Sequence, residues 1–110
     1  MREYTPERGE PGTLPAMEVP HELDAATVLK FALVTPDVEP TAATRHVRGG
    51  ILLGPAAALA IAQYSDSSGY YLFYLDADGD VATDTYHDSV EGAIAQGDFE
   101  YRGLRWVDRA

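Results

Sequence analysis

A run of six aromatic and aliphatic residues, YYLFYL at 70–75, constrains the fold more than any other stretch of this sequence. Aromatic residues are enriched in β-strands, and apolar side chains on both faces predict a strand that is covered on both sides. The segments SDSSG before it and DADGD after it have the composition of hairpin connections. We therefore expect residues 70–75 to lie in the middle of an antiparallel sheet.

The segments on either side of this run supply its predicted neighbours. VATDTY at 81–86 alternates in polarity, which predicts a half-exposed strand. PAAALAIAQY at 55–64 is ambiguous, because its alanines and its leading proline favour a helix. The short connection to the central run favours a strand from about Ala58 to Tyr64 instead.

Two further segments precede this predicted meander. ATVLKFALV at 26–34 predicts a strand that ends at the two prolines of TPDVEP, and an amphipathic helix starting after Pro20 is the alternative. TAATRHVRGG at 41–50 predicts a loop, with a short extended piece at 44–47.

After His87 the apolar spacing becomes that of a helix. Residues at i, i+3, i+4 and i+7 share one helical face, and here they are Val90, Ala93, Ile94, Gly97 and Tyr101. Asp88 and Glu91 form a capping-box pattern at the start, and Gly103 predicts the end. LRWV at 104–107 predicts a last short strand or an anchoring segment that buries Trp106. The whole pattern predicts an α+β fold, an antiparallel β-meander of about three to five strands with one C-terminal helix packed on a face.

The domain organisation follows from length and composition. A chain of 110 residues fits one domain. Residues 1–22 are rich in proline, glycine and glutamate, and such a composition buries too little apolar surface to offset its ordering entropy. We expect an extended or disordered arm at 1–22 and a single α+β domain at 23–110.

Charge restricts the partners that this chain can attract. Its net charge is −10, with a pI near 4.4, which argues against binding nucleic-acid phosphates or an anionic membrane. Residues 49–101 contain no lysine or arginine, although nine aspartates and glutamates fall in that span. This acidic block is either a solubilising surface or a surface shaped to meet a basic protein.

Cysteine usage and hydropathy favour a soluble cytoplasmic protein. The sequence has no cysteine, so disulfides, thiolate zinc sites and cysteine nucleophiles are excluded and a reducing compartment is expected. The charged, proline-containing start does not resemble a signal peptide. The most apolar stretch, ILLGPAAALAIA, is too short to span a bilayer.

Three alternating aspartates, Asp76, Asp78 and Asp80, resemble the opening of a calcium loop. The remainder of that loop is missing, because Gly79 stands at the fourth position instead of the sixth and His87 replaces the closing glutamate. A tight turn in which aspartate side chains bond backbone amides explains the segment better. We expect neither a metal nor another cofactor.

The candidate binding residues are Asp84, Tyr86, His87 and Trp106. A histidine near carboxylates can act as a general base, and tyrosine and tryptophan are common in ligand pockets and protein contacts. No serine or cysteine nucleophile in a recognisable motif lies beside His87, so we assign no catalytic residue. The alternative is structural, with Asp88 capping the helix while Tyr86 and His87 stabilise the corner between strand and helix.

Nine residues between Asp84 and Tyr101 carry a resemblance to a known group of sequences. They are Asp84, Thr85, Tyr86, His87, Ser89, Gln96, Phe99, Glu100 and Tyr101. This pattern resembles a loose group of small uncharacterised bacterial proteins, in which a D-T-(aromatic)-H-x-S turn leads into a helix with Q-x-x-F-E-(aromatic). The resemblance implies the same arrangement of hairpin and helix, and it carries no activity to this chain.

Three functions are compatible with the sequence. The first is a non-enzymatic acidic module that binds a basic protein, as small immunity- or antitoxin-like proteins do. The second is a small ligand-binding domain or enzyme that uses Asp84, Tyr86 and His87. The third is a structural homodimer that pairs exposed sheet faces or edges.

Overall fold

The computed structural model describes residues 17–109, and the predicted N-terminal arm lies outside the described residues up to residue 16. The fold is α+β, as predicted, with one helix packed on an antiparallel sheet in this part of the chain. The elements, in chain order, are β1 Glu22–Leu23, β2 Ala26–Leu33, β3 Glu39–Pro40, β4 Val47–Arg48, β5 Ile51–Leu52, β6 Ala58–Gln63, β7 Tyr70–Leu75, β8 Val81–His87, α1 Val90–Glu100, β9 Tyr101–Arg102 and β10 Val107–Asp108.

The main sheet has the order β1-β2-β6-β7-β8, and β10 pairs with Lys30 and Phe31 of β2. The predicted meander is confirmed as β6-β7-β8, with β7 in the interior of the sheet. The ambiguous segment is a strand, since Ala58–Gln63 pairs with β2 on one side and with β7 on the other. Two short two-stranded sheets, β3-β9 and β4-β5, lie outside this path.

Alternation along the central strands divides the core between two faces of the sheet. The helix face contains Leu59, Ile61, Leu72 and Tyr74, which pack with Ala93 of α1. The far face contains alanines of β6 together with Phe73 and Leu75 of β7, and Val19 and Leu23 pack against it from the N-terminal side. The chain before β2 thus supplies part of the cover that the aromatic far face requires. Within residues 17–109, no helix is long and apolar enough to cross a membrane.

The helix begins and ends at different residues from those predicted. Ser89, not Asp88, is the N-cap, because its backbone is extended and its hydroxyl accepts a hydrogen bond from the Gly92 amide. The helix ends at Glu100, three residues before Gly103. Tyr101 is extended because it pairs with Pro40 in the β3-β9 sheet, a long-range contact that local spacing does not encode.

The stretch predicted as a loop at 41–50 contains part of a hairpin. β4 and β5 pair through Arg48 and Ile51, and the intervening Gly49 and Gly50 have φ values of 60° and 80°. Two consecutive residues with positive φ form the tight turn that matches strand twist, and glycine adopts this backbone without steric cost. The Gly-Gly pair is therefore the centre of the hairpin.

Trp106 closes the helix face from the C-terminal side. It is half-buried, its indole N–H donates to Asp98 Oδ1 at 3.0 Å, and its ring lies against the backbone of Gly97. A Cβ added to Gly97 would meet Trp106 Cζ2 at 2.7 Å and Leu59 Cδ2 at 3.2 Å. Gly97 thus permits a close approach between α1 and this ring, at some cost in helix propensity.

Replacing Gly97 with alanine tests this close packing. Helix propensity alone predicts that Gly97→Ala stabilises the protein by about 1 kcal/mol. We expect the opposite, a loss of about 1–3 kcal/mol in the free energy of unfolding, because the added methyl group overpacks the contact with Trp106. The fluorescence of Trp106, the single tryptophan of the chain, should also shift as its ring is displaced.

Urea unfolding followed by circular dichroism measures both effects. Ala95→Gly is the matched control, since Ala95 is exposed in the same helix and reports propensity without packing. If Gly97→Ala raised the free energy of unfolding by as much as Ala95→Gly lowered it, the Trp106 ring would be shown to move aside without cost.

Candidate functional site

The structure does not bring Asp84, Tyr86 and His87 together on one face. Asp84 and Tyr86 pair across the ladder with Phe73 and Tyr71, whose side chains belong to the far face. His87 stands one position further along β8, and successive side chains of a strand point to opposite faces. The three side chains therefore do not form one cluster.

Tyr86 lies at the rim of the far face. Its ring contacts that of Tyr71 edge to face, with centroids 5.3 Å apart. It also covers Gly69 so closely that a Cβ there would meet the Tyr86 hydroxyl oxygen at 1.9 Å. Even so, 53% of Tyr86 remains exposed, so the ring is held in place while much of its surface is open to solvent.

His87 and Trp106 each have a local partner on the helix side. His87 Nε2 lies 2.7 Å from the Thr85 hydroxyl oxygen, and Trp106 donates to Asp98 as described above. The first contact lies within β8, and the second joins α1 to the segment that leads into β10.

The DADGD segment is the tight turn that was predicted. Asp76 Oδ1 accepts hydrogen bonds from the amides of Asp78 and Asp80, both at 3.0 Å, and Gly79 has a φ of 86°. One carboxylate oxygen from each of the three aspartates lies within 4.8 Å of the others. The backbone bonds of Asp76 account for this grouping as part of the turn.

A buried carboxylate that the sequence analysis did not single out lies at the C-terminal end of α1. Glu100 is 5% exposed and is the one buried charged residue in the described part of the chain. Three donors surround it: His46 Nε2 lies 2.7 Å from Oε1, Gln96 Nε2 lies 2.6 Å from Oε2, and the Tyr74 hydroxyl also bonds Oε2. A buried carboxylate is tolerated when it is paired and hydrogen-bonded in this way.

His46 connects Glu100 to strand β8. Its Nδ1 lies 2.9 Å from the Thr83 hydroxyl oxygen, and its ring centroid lies 4.1 Å from that of Tyr74. A hydrogen on Nε2 lets the ring donate to Glu100 while Nδ1 accepts from Thr83, so we assign this tautomer. In that form the imidazole joins a carboxylate to a hydroxyl, an order found in acid–base sites as well as in structural networks.

Two tyrosine hydroxyls of this region resist ionisation. Burial, and then the hydrogen bond to Glu100, raise the pKa of Tyr74 far above its usual value. Burial also raises the pKa of Tyr101, whose hydroxyl oxygen accepts a 2.8 Å hydrogen bond from the Ala56 amide. Both side chains are therefore neutral donors over the physiological pH range.

A cavity of about 140 Å³ lies beside these residues. Its polar lining comes from His46, Tyr74, Asp76, Thr83 and Tyr101, and its apolar lining from Leu53, Pro55, Ala56, Leu75 and Ala82. A wider groove of about 330 Å³ adjoins it and shares His46, Leu53, Gly54, Pro55 and Tyr101. The segment at 53–56, which follows the β4-β5 hairpin, forms a wall of the cavity.

The Q-x-x-F-E-(aromatic) pattern of the resemblance already contained residues of the Glu100 network and the cavity. Gln96, Glu100 and Tyr101 belong to its Q-x-x-F-E-(aromatic) pattern, and all three lie around the buried carboxylate or the cavity. His46 carried no such signal, since it stands 54 residues from Glu100 in a segment read as a loop.

Comparisons of the chain with protein-family models, with curated proteins and with solved structures found no match. The relation to the D-T-(aromatic)-H-x-S group therefore stays a prediction, and the geometry described above is the basis for a functional proposal.

Replacing Glu100 with glutamine tests the role of the buried charge. We expect Glu100→Gln to lower the free energy of unfolding by about 2–4 kcal/mol, because three donors lose a charged acceptor and the new amide faces donors. Glu22→Gln is the control, since Glu22 is exposed, and it should change stability by less than about 0.5 kcal/mol. If Glu100→Gln and Glu22→Gln changed the free energy of unfolding in urea by the same small amount, the hydrogen bonds of Glu100 would be shown to add little stability.

The raised pKa of Tyr74 leads us to expect a loss of stability at alkaline pH. In the unfolded chain tyrosine ionises near pH 10, whereas folded Tyr74 keeps its proton because its pKa is raised. The contribution of Tyr74 to the free energy of unfolding is fully present below about pH 10. Above that pH it falls by about 1.4 kcal/mol per pH unit, because the unfolded chain loses the proton that the folded chain keeps. Tyr74→Phe should be less stable at neutral pH but should lose stability less steeply between about pH 10 and 12.

The measurement is the free energy of unfolding in urea from pH 6 to 12 for both proteins. Between about pH 6 and 8, where tyrosine does not titrate, the two curves should run parallel. Parallel curves up to pH 12 would contradict the raised pKa.

Proposed function

We propose that this protein is a non-enzymatic module that binds a basic protein through one acidic side of the sheet. The acidic side consists of the exposed carboxylates Asp78, Asp80, Asp84, Asp88 and Glu91 together with Tyr86. The observation that carries the proposal is the position of these charges along β8, the end strand of the sheet order.

These residues follow one another in space as they do in sequence. Asp78 and Asp80 lie in the turn before β8, Asp84 lies within the strand, and Asp88 and Glu91 lie where α1 begins. Seven residues of strand span about 23 Å, so the carboxylates extend over a length comparable to one side of a standard protein interface.

The carboxylates of the acidic side are free of ion pairs within residues 17–109. The side-chain ion pairs found there join Lys30 to Asp108 and Arg102 to Glu39, while Glu100 is hydrogen-bonded to the neutral ring of His46. Residues 49–101 also contain no lysine or arginine, so within the described part of the chain no cation close in sequence offsets the charge of the acidic side. An unneutralised field of one sign accelerates encounter with a partner of opposite charge.

Tyr86 supplies an aromatic contact within the acidic side. Interfaces concentrate binding energy in a few buried aromatic or arginine residues, and charged residues around them set orientation and association rate. Tyr71 and Gly69 already hold the Tyr86 ring in place, so little side-chain entropy is lost on binding.

This arrangement fits the class of small immunity- or antitoxin-like proteins that neutralise a basic partner. A cytoplasmic location is part of the proposal and follows from the composition argument given above. The enzyme or ligand-binding alternative built on Asp84, Tyr86 and His87 lacks support from the geometry, since His87 lies on the other face of β8.

A structural homodimer is favoured by one separate observation. Val47, Ile51 and Leu52 on the β4-β5 hairpin are exposed, Ile51 by 68%, and adjacent exposed apolar residues often mark a contact surface. Arg45 and Arg48 flank them, so the hairpin differs in charge from the acidic body and could meet the body of a second copy. Sedimentation equilibrium of the purified chain distinguishes this alternative from binding as a single chain.

Reversing two charges tests the proposed acidic side. Asp84→Lys/Asp88→Lys should weaken binding to the basic partner at least about tenfold at low salt, mainly through a slower association rate. Glu18→Lys/Glu22→Lys is the matched control. It changes the net charge equally at exposed residues near β1, the other end of the sheet order, and should bind nearly as the parent does.

The partner is first identified as a basic protein that the parent and the control retain from lysate and that the test variant loses. Dissociation constants of the purified pair are then measured at about 50 mM and at about 300 mM salt, which lie below and above physiological ionic strength. Equal affinities for the two double variants, or a partner that is acidic, would refute the proposal.

A further inference from the structure

The cavity beside His46 has the size of a small organic molecule. Its volume is about 140 Å³, whereas one water molecule needs roughly 10–15 Å³ on the same kind of measure. An apolar cavity of about 150 Å³ in a protein core admits benzene. A ligand of about six to eight non-hydrogen atoms is therefore the size class that fits.

The side chains of the lining offer one hydrogen that the described residues leave available. His46, Thr83 and Tyr74 are bonded to one another or to Glu100. Tyr101 is 5% exposed, and its oxygen accepts from the Ala56 amide, but no acceptor for its own hydroxyl hydrogen is found within residues 17–109. Tyr101 can thus donate to an oxygen atom inside the cavity.

The surrounding charges and the available donor together favour an uncharged ligand. Asp76 lines the cavity and Glu100 lies behind His46 and Tyr74, while no lysine or arginine is among the lining residues, so an anion would be repelled. A cationic ammonium group carries only donors, so it cannot accept the hydrogen that Tyr101 offers, and Asp76 Oδ1 already accepts two backbone amides. A neutral molecule with an acceptor oxygen is the class that matches the Tyr101 donor.

We propose that this cavity binds a small uncharged molecule whose carbonyl or hydroxyl oxygen accepts a hydrogen bond from Tyr101. The hydrocarbon part of the ligand lies against Leu53, Ala56, Leu75 and Ala82. Entry is through the adjoining groove, which shares the wall at 53–55. This site is separate from the acidic side, so its occupancy and protein binding can be tested independently.

Titration of the ¹⁵N-labelled full-length chain with cyclohexanone tests the proposal by nuclear magnetic resonance. Cyclohexanone has seven non-hydrogen atoms and one carbonyl oxygen, so it falls within the class of about six to eight atoms set by the cavity. We expect saturable shifts, with a dissociation constant of about 10 mM or tighter, centred on the amides of Leu53, Ala56, Leu75 and Thr83. Cyclohexanecarboxylate and cyclohexylamine, the anionic and cationic analogues, should bind at least about tenfold more weakly.

Two variants and one control locate the binding. Ala82→Leu fills the cavity and should abolish saturable binding, whereas Ala95→Leu adds the same volume at an exposed helix position and should leave it unchanged. Tyr101→Phe should weaken cyclohexanone about two- to tenfold by removing the donor. Because Tyr101→Phe also removes the acceptor of the Ala56 amide, Ala82→Leu provides the independent test should that variant misfold.

Several results would overturn the proposal. They are the absence of saturation up to about 50 mM cyclohexanone, equal binding by Ala82→Leu and the parent, and equal affinity for the carboxylate and the ketone. Saturable shifts confined to the acidic side would also overturn it, because they would place the ligand elsewhere.

Discussion

The buried Glu100 carboxylate is the interaction on which the helix side of the structure depends. It accepts hydrogen bonds from the loop before β4 through His46, from β7 through Tyr74 and from α1 through Gln96. Its backbone carbonyl accepts a further bond from the Thr41 amide at 2.9 Å. A buried carboxylate is stabilised by its three side-chain donors together, so one residue couples the positions of elements that are distant in sequence. The cavity wall at 53–56 follows directly from that coupling, since His46 precedes the hairpin that leads into it.

The parts of the fold that could be predicted from sequence are those encoded by nearest neighbours. The strand at 70–75 followed from its aromatic run and its turns, and the turn at 76–80 followed from aspartate and glycine chemistry. The strand at 58–63 was predicted despite its alanines, because the short hairpin connection favours a strand. The structure gives the physical reason for the small side chains, since this strand is buried on both faces. Helix ends were less predictable, since the C-terminal end is set by the pairing of Tyr101 with Pro40, 61 residues earlier in the sequence.

The candidate site could be predicted only in part, for a related reason. Alternation along β8 was available in the sequence and already separates His87 from Asp84 and Tyr86. The network around Glu100 was not available, because its partners come from four segments that only the tertiary fold brings together. From the sequence alone, a buried glutamate near a helix end cannot be distinguished from an exposed one. The predicted acidic block at 49–101 therefore included Glu100, although its carboxylate faces inward.

The nine residues of the resemblance divide into two groups in the structure, and the division bears on function. Most of them stabilise the fold: Ser89 caps α1, Thr85 contacts His87, and Gln96, Glu100 and Tyr101 lie at the network or cavity. Asp84 and Phe99 are exposed, Phe99 by 58%, and Tyr86 is half open to solvent. Under the proposed function, Asp84 and Tyr86 are the members of this pattern that lie on the acidic side. There the charge of Asp84 would mainly set the association rate, while the ring of Tyr86 would supply the contact by which a partner distinguishes this surface from other acidic ones.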